Sequence, residues 1–412
     1  MRHSCSFDSK RLDDHLNPYA DAVPTAAVRL GDATVVIRNG TLVLPVGALL
    51  LLENCTVALE DVHIRGPPPA PDAVSSSKSL PILFVTDATA TLTRCSIGPS
   101  DGHGVGVGEA AKVTMRDCEV SNHRTYGLAV RGDGAVADIA ECRLECNGQD
   151  GVAVGAGAAA QLLRCVLSHN TMLGLCVSGG GTAAVEECTV EGNGTHGLSA
   201  HGGAALTVTG GRISGCEVGV LAIDAVTTVA LNGCELSCNE HGIHARDGVQ
   251  VSCPAPDSPC NPPWPRSALA AVCRPCGAVP PPVGSRARFL QVTGKGTNMR
   301  HQTIGVVATG ASTKVSLADS TVAQSRRAGV HVFGAATAAL LRVKVSGSAE
   351  HGALVQHAHS VLELDDTTLA DSGASGVQAA VGAAVKMRGC SLTSNRVAGA
   401  QVTVCPPPCL PA

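Results

Sequence analysis

Cys95, Cys118, Cys142, Cys165 and Cys188 follow one another at steps of 23, 24, 23 and 23 residues. One further step lands on Gly211 and another on Cys234, and after an interruption the register returns at Ser320, Val343, Thr367 and Cys390. Gly40 and Val62 fit the same slot upstream. Other columns travel with it. Three residues before the slot stand Leu92, Met115, Ile139, Leu162 and Val185, and two after it Ile97, Val120, Leu144, Leu167 and Val190. Nine residues after it come Gly104, Gly127, Gly151, Gly174 and Gly197. Self-similarity at a fixed short period is the mark of a repeat architecture rather than of several globular domains.

Each unit holds short alternating pieces, such as Val113-x-Met115, Cys118-x-Val120 and Leu128-x-Val130, set between polar turns. Alternation with period two argues for strand. Pieces this short cannot hold an ordinary sheet together. Stacked on copies about 4.8 Å above and below, each becomes one rung of a parallel sheet. Three pieces per unit close one coil, which predicts an all-β solenoid of about 14 coils with one degenerate coil near Leu290 to Gly310. The composition agrees: only 2% of residues are aromatic, so the core must be filled by small and β-branched side chains.

These columns resemble the right-handed parallel β-helix repeats of pectin-lyase-like enzymes, NosD-like proteins and certain F-box-only proteins. The resemblance spans roughly residues 34 to 403 and implies a right-handed coil. It leaves function open, because such repeats carry enzymes and non-enzymatic scaffolds alike. The expected organisation is a candidate cap over 1–33 around Phe7, Leu12 and Leu16, then β-helix over 34–250. A Pro/Cys-rich insertion follows over 251–287, a second β-helix part over 288–403, and a Pro/Cys tail over 404–412.

Three further columns invite chemistry and are read as structural. Asn147, Asn170, Asn193, Asn239 and Asn395 stand five residues after the cysteine slot. Asparagine tolerates a left-handed backbone and stacked amides hydrogen-bond along an axis, so these predict an asparagine ladder in a turn. The cysteines would place parallel Cβ atoms on neighbouring rungs, whereas a disulfide needs them converging, so free buried thiols are expected. Just before the slot stand Arg94, Asp117, Glu141, Arg164 and Glu187, a charge ladder on an exposed turn. Within the insertion, Cys253, Cys260, Cys273 and Cys276 are zinc candidates on residue type, although the first spacing is looser than zinc sites use.

Gly102-His103-Gly104 resembles the Gly-His-Gly element of polygalacturonases. The His-Gly step recurs at His196, His241 and His351, so it reads first as a turn feature of the repeat. Of the accompanying elements, the Asp-Asp pairs stand away from it, Asp365-Asp366 some eleven coils later and Asp13-Asp14 before the repeats, and no Asn-Thr-Asp occurs. The motifs of mannuronan epimerases and pectate lyases do not occur either, and the one Trp, Trp264, lies in the insertion. No catalytic residue, cofactor or metal is therefore assigned.

The expectation is a non-enzymatic scaffold for protein–protein interaction, its protein partner unidentified. Resemblance to the F-box-only proteins would imply substrate recruitment, but residues 1 to 33 contain no F-box. The alternative is a carbohydrate-active enzyme or glycan-binding module using the turn face of His103, Tyr126 and Asp150. A net charge of −4 gives no basic footprint for nucleic acid. The apolar run from Leu42 to Leu52 is too short to span a bilayer, so no membrane partner is expected. With no secretory leader in the first residues and unpaired thiols, a cytoplasmic location is expected.

Overall fold

The structure is a computed structural model, and it describes residues 26–45, 47–68, 80–246, 250–253, 297–380 and 382–403. The chain forms a parallel β-helix, and among the described residues there is no helix. One sheet takes one strand from every coil and contains fifteen. The other strands, twenty-six in number, line the rest of the coil and pair rung to rung. Neighbouring strands pair in parallel at the repeat step, for example Val120 with Leu144, and Leu144 in turn with Leu167. The expected all-β solenoid, its spacing and its count of about fourteen coils are borne out.

The core is one continuous aliphatic column. Leu92, Val113, Met115, Leu128, Val130, Leu144, Leu162 and Leu175 are all 1% exposed or less and stack on their counterparts. Burying an aliphatic side chain of this kind contributes roughly 1.5–3 kcal/mol. Repetition of that term holds up a fold most of whose strands are only three to six residues long.

The asparagine column is a hydrogen-bonded ladder. Asn170 Oδ1 accepts from the backbone N–H of Asn147 at 3.1 Å and from its Nδ2 at 3.0 Å. Asn170 Nδ2 donates to the carbonyl of Leu144 at 3.1 Å, and Asn193 and Asn239 repeat the pattern on Leu167 and Ile213. The ladder carries more than asparagine. His123 heads it, donating its N–H to Asn147 Oδ1, Cys216 continues it, and Gln302 takes it across the interruption by accepting from Asn239 N–H. The asparagines themselves are not left-handed. The residue before each one is: Cys146, His169 and Cys238 have φ of 56°, 55° and 57°. The amide is there to bridge rungs, and the turn is made one residue earlier.

The thiols are more than small hydrophobes. Cys118 N–H donates to Cys142 Sγ at 3.3 Å and Cys165 N–H to Cys188 Sγ at 3.3 Å. The thiols of Cys118, Cys165 and Cys188 donate in turn to carbonyls of the coil below, those of Leu92, Ile139 and Leu162. The slot cysteines Cys95, Cys118, Cys142, Cys165 and Cys188 form no disulfide. The charged column ahead of them also has a backbone cause: Arg94, Asp117, Glu141, Arg164 and Glu187 all have φ between 50° and 59°. Their side chains pair along the axis, Arg164 to Glu141 at 2.7 Å and Arg94 to Asp61 at 2.8 Å.

The register resumes earlier than the sequence suggested. Thr297 occupies the slot, with its N–H on Ser320 Oγ, and Asn298–Arg300 and Ile304–Thr309 form a regular coil where a degenerate one was expected. Gln250–Cys253 is a strand paired with Lys314–Leu317, so the sheet runs to Cys253. Cys260, Cys273 and Cys276 lie outside the described residues, as do Phe7, Leu12, Leu16 and the tail.

Candidate functional site

The His-Gly step creates an irregularity on which the site depends. In a plain strand, side chains alternate between faces. Here Gly174 and Gly197 face inward: a Cβ on Gly174 would lie 2.7 Å from Val190 Cγ1, and one on Gly197 2.6 Å from Ile213 Cγ2. The next residue, Leu175 or Leu198, also faces inward and is fully buried. Two consecutive inward residues push the one before the glycine out of the coil. That residue is His103, Tyr126, Asp150, Leu173, His196 or His241. The glycine column is therefore required by close approach inside the coil. At Gly151 the approach includes the ladder itself, since a Cβ would meet Asn170 Nδ2 at 2.8 Å.

Three outward columns follow along the fifteen-stranded sheet. One is the pre-glycine column. The middle one runs Phe84, Gly106, Ala129, Ala153, Cys176, Ser199 and Leu221. The third includes Arg131, His201, Arg246 and Phe333. In-register pairing fixes these alignments, as with Phe84 beside Gly106 and Ala129 beside Ala153. Ala129, Ala153 and Ser199 point away from the core yet are buried, because larger residues stand on both sides. The surface is a trough with a small-residue floor. Among the described residues, all the Phe and Tyr side chains (Phe84, Tyr126 and Phe333) lie on this face. So do His103, His196, His201, His241, His244, His331 and His351.

The densest chemistry lies on the coils of His103–Val107 and Leu128–Arg131. The His103 and Tyr126 rings stack at 5.0 Å with 23° between planes, and the Arg131 guanidinium stands over the Tyr126 ring at 5.4 Å. The Thr125 hydroxyl contacts His103 Nδ1 and fixes the ring edge. Burial, reinforced by Arg131 and His123, pushes the His103 imidazole down to about 3, so it is neutral at physiological pH. Asp150, one rung along, accepts a hydrogen bond from Leu173 N–H at 3.2 Å, and burial pushes its carboxyl up to about 7. Burial also raises Tyr126. The trough thus brings a neutral base, a phenol, an acid that titrates near neutrality and a guanidinium onto adjacent rungs. Perturbed groups gathered at one surface are a mark of functional sites.

His123 is a different case. Its Nδ1 lies 2.7 Å from Ser100 Oγ and its Nε2 3.0 Å from the Ile97 carbonyl. A serine–imidazole pair of this length suggests a nucleophile, but both side chains are buried, at 4% and 1% exposure, and reach no surface. Their role is to close the head of the ladder.

Of the residues singled out from sequence, His103, Tyr126 and Asp150 do assemble on consecutive rungs. Arg131 was not foreseen, nor was the outward alignment of Phe84 and Phe333. Among the described residues no group of histidine, cysteine and acidic side chains is set to hold a metal ion, and of the zinc candidates only Cys253 is described. Among them, too, no helix is long and apolar enough to cross a membrane.

Residues 81–252 match the family described as a right handed beta helix region. The chain is a right-handed parallel β-helix. A comparison with curated proteins found no match. Among solved structures, the β-helix is similar to the periplasmic alginate epimerase AlgG, at 9% identity and a TM-score of 0.37, covering 89% of this chain and 77% of that one. It is similar to the A-module of an Azotobacter vinelandii mannuronan C-5 epimerase, at 11% identity and a TM-score of 0.37, covering 91% of each chain. A GH87 alpha-1,3-glucanase from Streptomyces thermodiastaticus matches at 11% identity and a TM-score of 0.28, covering 91% of this β-helix and 63% of that chain.

The cytoplasmic location expected from the sequence is withdrawn. Its physical premise fails. The rung geometry keeps the cysteines parallel and hydrogen-bonded to carbonyls, so their unpaired state does not report a reducing compartment.

Proposed function

We propose that this β-helix is a carbohydrate-active protein that takes an extended polysaccharide along the trough of the fifteen-stranded sheet. The observation that carries the reading is that the described Phe and Tyr side chains share one outer face with His103 and Asp150, two acid–base groups held far from their ordinary values. Rungs about 4.8 Å apart advance by close to the length of one pyranose residue, so a polymer lying along the axis meets one rung per sugar.

The centre is His103, Tyr126 and Asp150 with Arg131. The guanidinium pairs with a sugar carboxylate, which favours an acidic polysaccharide and makes the adjacent C–H bond more acidic. Pairing of the carboxylate with Arg131 offsets the positive charge that helps to hold His103 neutral and so raises its basicity; the imidazole then accepts that proton, and the Tyr126 phenol returns a proton to the sugar. Asp150, able to gain or lose a proton near neutrality, sets the charge beside them. The reaction class is proton abstraction next to a uronate carboxylate, leading to elimination or epimerisation. The scaffold reading rested on missing motifs, and the trough supplies an acid–base set that those motifs do not describe.

The test is a panel of uronate and neutral polysaccharides, read for unsaturated products and for solvent deuterium entering the sugar. Uronate polymers should react. His103→Ala and Tyr126→Phe should each lose on the order of a hundredfold or more in rate, as general acid–base residues do. Binding without reaction, unchanged in both variants, would overturn the catalytic reading.

A further inference from the structure

Farther along the trough the surface changes character. On Ile304–Thr309, Ala328–Phe333 and His351–Val355, the outward residues Ile304, Val307 and Ala328 form an apolar cluster separate from the core, with Phe333 and Leu354 against it. Phe333 is half-buried. Its ring centroid lies 4.6 Å from that of His331, and His357 meets it edge-on at 6.1 Å. His331 Nε2 stands 3.1 Å from Gln356 Oε1. Burial lowers His331, so this imidazole acts as a hydrogen-bonding group rather than a cation.

An aliphatic shelf with one aromatic plate and an imidazole–amide pair at its rim suits a sugar ring. The ring offers a face of C–H groups to the plate and an edge of hydroxyls to the rim. The shelf belongs to the same continuous sheet as the His103–Tyr126 centre. Between the strands of Arg131 and Phe333 the sheet order runs through seven rungs. At about 4.8 Å each, that is roughly 34 Å along the axis.

We propose that Phe333, with His331 and Gln356, is a remote sugar subsite that grips the polymer about seven residues from the reacting sugar. It makes the protein select long chains. The inference rests on the carbohydrate reading and names which part of the polymer is held where.

The experiment measures binding of the intact protein to an acidic polysaccharide and to its oligosaccharides of increasing length. Wild type, Phe333→Ala and Phe333→Trp are compared, with thermal melting as the folding control. Affinity should step upward once the oligosaccharide exceeds roughly seven sugars, the span set by the rung spacing. Phe333→Ala should remove that step, weakening long chains about tenfold while leaving tetrasaccharide binding unchanged, and Phe333→Trp should keep it. A Phe333→Ala protein that binds long chains like wild type overturns the subsite. So does one that loses short and long chains equally. If wild type binds no polysaccharide of the panel, it is the carbohydrate reading that fails, and the subsite with it.

Discussion

Along His241–Arg246 the chain turns Ile243 and Ala245 inward and His241, His244 and Arg246 outward; along Val152–Gly155 it turns Val152 and Val154 inward and leaves Ala153 outside. The inner columns of the fifteen-stranded sheet are aliphatic from coil to coil, because a side chain there must pack on its own kind above and below. The outer columns carry no such requirement, so imidazoles, a phenol, guanidinium groups and small residues alternate freely. The same strands thus supply stability on one face and chemistry on the other. Mutations should separate the two.

The largest effect belongs to the inner face. Leu128→Ala, at a fully buried position beside Val105 and Val152, should cost about 2–5 kcal/mol in chemical denaturation. His103→Ala, on the other face of the neighbouring strand, should leave the unfolding midpoint almost unmoved while removing activity. Comparable losses of stability at the two positions would break the comparison.

The ladder gives a second contrast, between halves of the solenoid. Asn170→Ala strips partners from a buried N–H and a buried carbonyl and should cost about 1–3 kcal/mol. In the later coils, Ser325, Ser348 and Ser372 occupy the same column, and their hydroxyls are buried without a hydrogen-bond partner. Ser348→Asn should extend the amide ladder and raise stability by about 1 kcal/mol, the net worth of a hydrogen bond. A loss at Ser348 would mean that these coils pack too closely for the amide.

The pH dependence sharpens the contrast within the outer face. His103, His196 and His244 are held at about 3, 4 and 4, below the ordinary 6.5. The unfolded chain therefore binds protons that the folded chain refuses, and stability should fall as pH drops below about 6.5. Asp150 has the opposite sign. Its carboxyl is raised to about 7, so the folded state holds a proton that the unfolded state has released, and this group lowers stability as pH rises from about 4 to 7. Asp150→Asn should raise the melting temperature at about pH 8 and have little effect at about pH 4. Equal shifts at both values would show that Asp150 is not held protonated by burial.

The smallest effect is expected on the charge ladder. Arg164 and Glu141 pair at 2.7 Å, but both are exposed and screened by water, so Arg164→Ala should be hard to distinguish from wild type in melting.

The solenoid was legible because its core is periodic: Cys118, Val120 and Asn147 recur on their counterparts at a fixed step. What stayed hidden is whatever substitutes chemically within a column. Thr297 and Gln302 take over slots from cysteine and asparagine, so the coil after the interruption looked degenerate although its geometry is regular. His123 heads an amide ladder without being an amide. The assembly of His103, Tyr126 and Asp150 could be read from register, yet their outward projection depends on the inward glycine step, which spacing alone does not reveal. Aromatic scarcity argued against a sugar surface. It concealed that Phe84, Tyr126 and Phe333 share one face.

The most direct measurement is a crystal structure of the protein with an acidic oligosaccharide bound. The account predicts the sugar chain along the axis in the trough, one residue per rung, with a carboxylate on Arg131 and a ring beside His103 and Tyr126. Sugar bound on another face of the coil, with the trough bare, would contradict it.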